Sequence, residues 1–335
     1  MPDERTPLRH RLLLAGGLFL LAPLIGEFLF GNQAITDVGG IVLLAPLYGG
    51  GALLIREVTR RSGRGWPTII LLAVAYGLFE EGPVDQMLWN PNYGGFPMGL
   101  VYAETHLAWL GTSVELVQEV VSLHTVWSIC VPIALVEALD RGRERPQPWL
   151  GLPGLAAVSV VFAAGTAFLA YVQVVEYDFV ATAGQFAGAS LVIVALVVSA
   201  FTVGRRPASP VDSPAPSPWV VGGMAFGASS LYFARELVPE PPSSWPFVAA
   251  WFVLVGVVVA LVLRWSRRRG WGASHRLALA GGFLLTYVWV GFEHGRYLDV
   301  SRGTELLGNV VFGLGAILLL VVAGRRVASA PAERH

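Results

Sequence analysis

The chain has 335 residues, of which 54% are hydrophobic and only 14% charged, with a formal net charge of zero. A soluble domain carries roughly 25% charged residues, so this composition excludes a large water-soluble domain. A single cysteine, Cys130, inside an apolar run excludes an internal disulfide and a thiolate metal cluster.

Repeated apolar stretches near the length that crosses a bilayer predict an all-α, polytopic helix bundle of about ten spans. The expected spans are Leu12–Phe30, Ile41–Ile55, Pro67–Phe79 with its continuation, Val121–Leu139, Leu150–Val172, Ala181–Val203, Trp219–Ala234, Phe247–Leu263, Leu277–Phe292 and Leu306–Ala323. Every basic residue is arginine, and all but Arg235, Arg296 and Arg302 fall in alternate connections or at the termini. That asymmetry predicts both termini on the cytoplasmic side of a plasma membrane. It also accounts for the arginine runs without nucleic acid, which is not an expected partner.

In chain order, Glu27 closes the first span and Gly49-Gly50-Gly51 in the second allows close helix approach. The third span rises from Trp66 to Phe79-Glu80-Glu81-Gly82-Pro83, with Asp85 one turn after Glu81. Residues 93–122 are too polar to cross alone and predict an outer, partly re-entrant helical segment open to a protein partner. The fourth span is expected to start near His124. Residues 205–217, rich in Pro, Ser and Ala, predict a flexible cytoplasmic linker. The linker separates a first unit, 1–204, from a second, 218–335. Similar tips, Phe79-Glu80-Glu81-Gly82 and Phe292-Glu293-His294-Gly295, suggest a 4+2+4 arrangement with a parallel internal repeat.

Depth organises the polar residues. At about 1.5 Å rise per residue, Glu27, Glu80, His124, Arg235, Glu293 and Asn309 all lie roughly 21–25 Å from the cytoplasmic face. They are expected to form one outward-facing layer within a hydrocarbon core of about 30 Å. Ionised groups at such depth cost about 2.5–3.5 kcal/mol each on insertion scales, so they are candidates for function. The candidate cation- or solute-binding residues are Glu80, Glu81, Asp85, His124, Glu293 and His294. Glu27, Arg235 and Asn309 are expected to support them, with Arg235 or Arg296 offsetting the acidic charge. The leading expectation is a cation- or proton-linked transporter of a small solute, without a cofactor.

The run Gly77-Leu78-Phe79-Glu80-Glu81, followed by His124 on the next clear helix, resembles the CPBP intramembrane proteases, the CAAX-processing and bacteriocin-immunity group. The resemblance covers the third and fourth helices. It implies a metal-dependent hydrolase in which Glu80, Glu81, His124 and His294 hold Zn²⁺, with Glu81 as general base. The chain departs from that pattern in having Asp85 where an arginine is expected and Val120 where an aromatic residue is expected. The wider pattern also resembles uncharacterised prokaryotic membrane proteins, a likeness that implies no activity. A third expectation is a non-catalytic sensor or immunity-type protein acting through its outer segment.

Overall fold

The computed structural model describes residues 7–140, 146–203, 211–237 without the Glu236 side chain, and 244–329. The expectations placed on Arg5, Arg141, Arg143, Arg145, Arg205, Arg206, Glu236 and Arg334 lie outside the described residues. Among the described residues, ten long helices form the body: α1 Leu8–Leu29, α2 Ile35–Arg61, α3 Trp66–Val84, α4 Val114–Leu139, α5 Leu152–Tyr177, α6 Ala183–Thr202, α7 Pro218–Phe233, α8 Trp245–Trp265, α9 Ala273–Tyr297 and α10 Arg302–Ala328. All except α7 have the length and apolarity to cross a bilayer, and α7 is 16 residues long with a turn, Ala234–Leu237, beyond it. The chain is therefore a multi-pass membrane protein of all-α architecture.

Packing follows residue size. The three glycines of α2 each serve a different neighbour. A side chain at Gly49 would strike the Phe19 backbone of α1, one at Gly50 would meet Phe162 of α5 at 3.1 Å, and one at Gly51 would strike the Tyr76 ring of α3. Without a hydrophobic force between helices in lipid, such close contact supplies much of their attraction. One buried cluster joins α1 to α5 around Leu18, Tyr48, Ile69 and Ile133. A second, rich in aromatic rings, joins the end of α1 and α4 to α7, α9 and α10 around Trp127, Phe233 and Tyr287. By contrast, α5 has no buried residue along its length, which leaves its apolar surface to lipid.

The arginine-bearing ends share one face. Arg11 donates to the carbonyl of Trp149, Arg61 to that of Leu150 and Arg64 to that of Phe201. Beneath them lies a buried ionic lock. Arg56 pairs with Glu57 and Glu137, donates to the Gln147 carbonyl at 2.8 Å, and stacks 3.3 Å above the Trp149 ring. Arg60 grips both oxygens of Glu137, at 2.8 and 2.7 Å, while Glu57 accepts the backbone N–H groups of Trp149 and Leu150. The planar guanidinium suits this forked, stacked geometry.

One sequence expectation changes, and two others gain detail. Helix α4 starts at Val114, ten residues before His124, because Ser113 caps it by accepting the Leu116 N–H and because Glu115 and Gln118 are buried against protein. Of the outer segment, only short turns and an antiparallel pairing of His106–Leu107 with Thr112–Ser113 remain outside that helix. The linker is tethered in part, since Val211–Pro214 runs parallel to Arg268–Arg269 and Asp212 pairs with Arg269 at 3.0 Å. The two four-helix sets also pair differently: α1 packs mainly on α2, whereas α7, its counterpart in the proposed repeat, packs mainly on α9.

Replacing Arg56 by alanine leaves Glu57 buried without its cation and Glu137 held by Arg60 alone, and breaking a buried pair costs about 3–5 kcal/mol. The variant is expected to unfold earlier by that amount in a detergent–denaturant titration, and a midpoint unchanged from wild type would show the lock to be dispensable.

Candidate functional site

Three helices change their hydrogen-bond period at one level of the bundle. The segments Leu24–Leu29 in α1, Glu80–Val84 in α3 and His124–Cys130 in α4 are π-helical. Each adjoins a proline: Pro23 precedes the first, Pro83 lies in the second, and Pro132 follows the third. Proline removes one backbone donor and crowds the preceding turn, which favours such a local widening. Widened turns of this kind are frequent at functional sites. Here they carry Glu27, Glu80 with Glu81, and His124 with Ser128.

His124 is the hub. Its Nε2 lies 2.6 Å from Glu81 Oε1, and its Nδ1 lies 2.9 Å from Glu80 Oε2. Ser128, one turn further along α4, lies 3.1 Å from Nδ1, and its hydroxyl rather than Glu80 Oε2 is aligned for the hydrogen bond. Small residues make this convergence fit. A Cβ at Gly77 would sit 3.2 Å from the His124 Cβ, and one at Gly26 would sit 2.9 Å from Ser128 Oγ.

From α1, Glu27 accepts a hydrogen bond from the Tyr48 hydroxyl, and the Tyr48 and His124 rings are 5.7 Å apart. Tyr76 meets His124 edge-on with ring centroids 6.2 Å apart, and its buried hydroxyl has no hydrogen-bond partner. One oxygen of Glu80 and one of Glu81 are likewise buried and unbonded. Asp85 closes the far end: its Oδ1 accepts the Met87 N–H at 3.1 Å and its Oδ2 the Tyr93 hydroxyl at 3.2 Å. Thus Glu80 and Glu81 meet one imidazole, and Glu27 and Asp85 lie close enough to interact with it electrostatically. Among the described residues, no arginine pairs with any of these four carboxyl groups.

The remaining candidates lie elsewhere. Arg235 pairs with Glu115 and Glu119 at 3.0 and 2.6 Å, and Glu293 pairs with Arg296 at 2.8 Å, so neither arginine offsets the diglutamate. The earlier start of α4 is the reason for the first pairing, because it carries Glu115 and Glu119 along the same helix. His294 stacks 4.2 Å from the Phe30 ring, and Asn309 sits on α10 by Glu305. The expected layer is therefore divided, and the acidic cluster belongs to α1 through α4. Tyr48 and Tyr76 were not singled out from the sequence. The adjacent glycine triplet is the signal that marks their crowded surroundings.

The donor set does not suit the metal that the protease resemblance implies. Both His124 nitrogens face carboxylates or Ser128, His294 is stacked elsewhere, and the described residues include no group of three acidic, histidine or cysteine side chains arranged around a common metal position.

Tyr48→Phe removes the hydroxyl that Glu27 accepts, and a buried acceptor left unsatisfied costs about 1–3 kcal/mol. A loss of stability in that range is expected for the purified variant by denaturant titration, with no change indicating that Glu27 finds another donor.

No curated protein and no solved structure matches the chain. The model of one family does match, over residues 17–298, from within α1 to the end of α9, and so across the whole acidic cluster. The chain accordingly belongs to an uncharacterized membrane protein family.

Proposed function

We propose that this protein is a transporter of the cytoplasmic membrane in which Glu27, Glu80, Glu81 and His124 bind a proton or small cation coupled to movement of a small solute. One observation carries the reading: two buried glutamates bracket one histidine, with half-buried Glu27 and Asp85 beside them, and among the described residues no arginine pairs with any of the four. Carboxylates this close and this dry repel one another and lose hydration, so some must hold protons or share a cation. Binding sites of this kind within a membrane bundle mark ion and proton pathways. The π-helical segments support the same reading, because each can relax toward α-helix and move its polar side chains when their charge changes.

A second reading is hydrolysis, favoured by the meeting of the diglutamate with His124, as the protease resemblance implies. The Ser128–His124–Glu81 line also has the order of nucleophile, base and orienting carboxylate. Electrostatics weighs against it. A tetrahedral oxyanion formed at Ser128 would lie among Glu27, Glu80 and Glu81, where negative charge is destabilised rather than stabilised.

The purified protein in liposomes containing a pH-sensitive dye tests the transport reading. After an external acid step in sodium chloride or choline chloride, wild-type liposomes are expected to acidify faster than protein-free ones, with a rate that depends on sodium. The Glu80→Gln, Glu81→Gln double variant is expected to fall to the protein-free rate. Equal rates in variant and wild type would overturn the reading. Treatment with a fluorophosphonate probe tests the alternative: stoichiometric labelling lost in Ser128→Ala would favour hydrolysis, and no labelling is the outcome expected here.

A further inference from the structure

A second polar cluster lies at the first turns of α4, before His124. Helix α7 ends at Phe233, and the turn that follows carries Arg235 inward against the first turns of α4. Its guanidinium contacts Glu115 and Glu119 and lies 5.5 Å from the Tyr232 ring and 5.2 Å from that of Phe247. Tyr102, from the segment before α4, donates to Glu119 at 3.2 Å. Burial beside Glu119 pushes the Tyr102 phenol up, so it remains a donor.

Two buried polar side chains on these elements, α7 and the start of α4, have no hydrogen-bond partner among the described residues. The Tyr232 hydroxyl, 6% exposed, interacts electrostatically with Glu119, Glu115 and Tyr102 yet makes no hydrogen bond. Gln118, 4% exposed on the same turns of α4 as the two glutamates, bonds through neither its amide nitrogen nor its oxygen. Leaving such groups unsatisfied is costly, which is a reason to seek a ligand that they would meet. Glu115 and Glu119 both turn a carboxylate toward the one guanidinium of Arg235, a pair of groups suited to a cation. The aromatic faces already hold one cation, in the arrangement that also receives ammonium ligands.

We propose that the cluster of Glu115, Glu119, Tyr232 and Gln118 is a binding site for a small protonated amine with an apolar substituent, and that Arg235 is the tethered cation with which the amine competes. The ammonium would take the Glu119 carboxylate and the Tyr232 hydroxyl, Gln118 would accept a further N–H, and the Tyr232 and Phe247 rings would cover the substituent. This assignment rests on the transport reading for its purpose, since it names the class of solute, but the binding is a property that can be measured separately.

The test is equilibrium binding to full-length protein in detergent, with phenethylamine as the probe and uncharged 2-phenylethanol as its control, followed by tryptophan fluorescence and calorimetry. Saturable binding of the amine, at least tenfold tighter than the alcohol, is expected. Tyr232→Phe, which removes only an unbonded hydroxyl, is expected to weaken it severalfold, and Glu119→Gln by tenfold or more. To guard against misfolding on loss of the ion pair, Glu119→Gln is also combined with Arg235→Gln, and this neutral pair is expected to bind as weakly. Absence of saturable binding, equal affinity for the alcohol, or wild-type affinity in both Tyr232→Phe and the neutral pair would overturn the proposal. Any of these results would leave the proton-flux outcome for Glu80 and Glu81 standing, because that experiment contains no amine.

Discussion

Burial of carboxyl groups around His124 is the constraint on which the rest of the bundle depends. A carboxylate deep in a hydrophobic assembly is tolerated only with a proton, a cation or several hydrogen bonds in place. Four helices must therefore hold their register to within about an ångström for Glu81, Glu80 and Ser128 to reach one imidazole together. The glycines at 26, 51 and 77 serve that requirement by letting Ser128, Tyr76 and His124 approach where a Cβ would intrude. The three proline-linked π segments serve it by turning polar side chains inward without breaking the spans.

The two ionic clusters of the bundle differ in kind. On the arginine face, Arg56, Glu57, Arg60 and Glu137 balance charge for charge, and nearly every donor finds an acceptor. Such a network fixes geometry and binds α2, α4 and the segment after α4 into one body. The His124 cluster, in contrast, has more acid than base and leaves oxygens unbonded. A fully satisfied network rigidifies a fold, while a partly satisfied one is a place where a further partner changes the energy. That contrast supports the proposed function at the second and an architectural role for the first.

Aromatic stacking links the acidic cluster to the rest of the bundle. Trp127, within the same π segment as His124, stacks in parallel on Tyr287 of α9 at 4.5 Å and donates its indole N–H to the Phe283 carbonyl. Phe30, the residue after α1, also stacks on Tyr287, with ring centroids 4.7 Å apart. Rigid rings thus tie the π segment of α4 to α9 and to the end of α1.

The bilayer is what made the architecture legible. Spans need about 20 apolar residues and arginine avoids one side, so the ten helices and the arginine face were readable from Leu12 to Ala323 alone. The diglutamate and His124 were also readable as a pair, because a charged group in an apolar run is conspicuous. Register and partner choice were not. Whether His124 or Arg235 would face Glu80 depends on the rotation of α4 and on its start at Val114, which is fixed by the Ser113 cap and by burial of Glu115, both set by neighbouring chain. Linear depth placed His294, Asn309 and Arg235 at the same level as Glu80, but depth is one coordinate of three. Only the packing of α1 to α4, decided by glycine contacts between helices distant in sequence, determined which groups at that level meet.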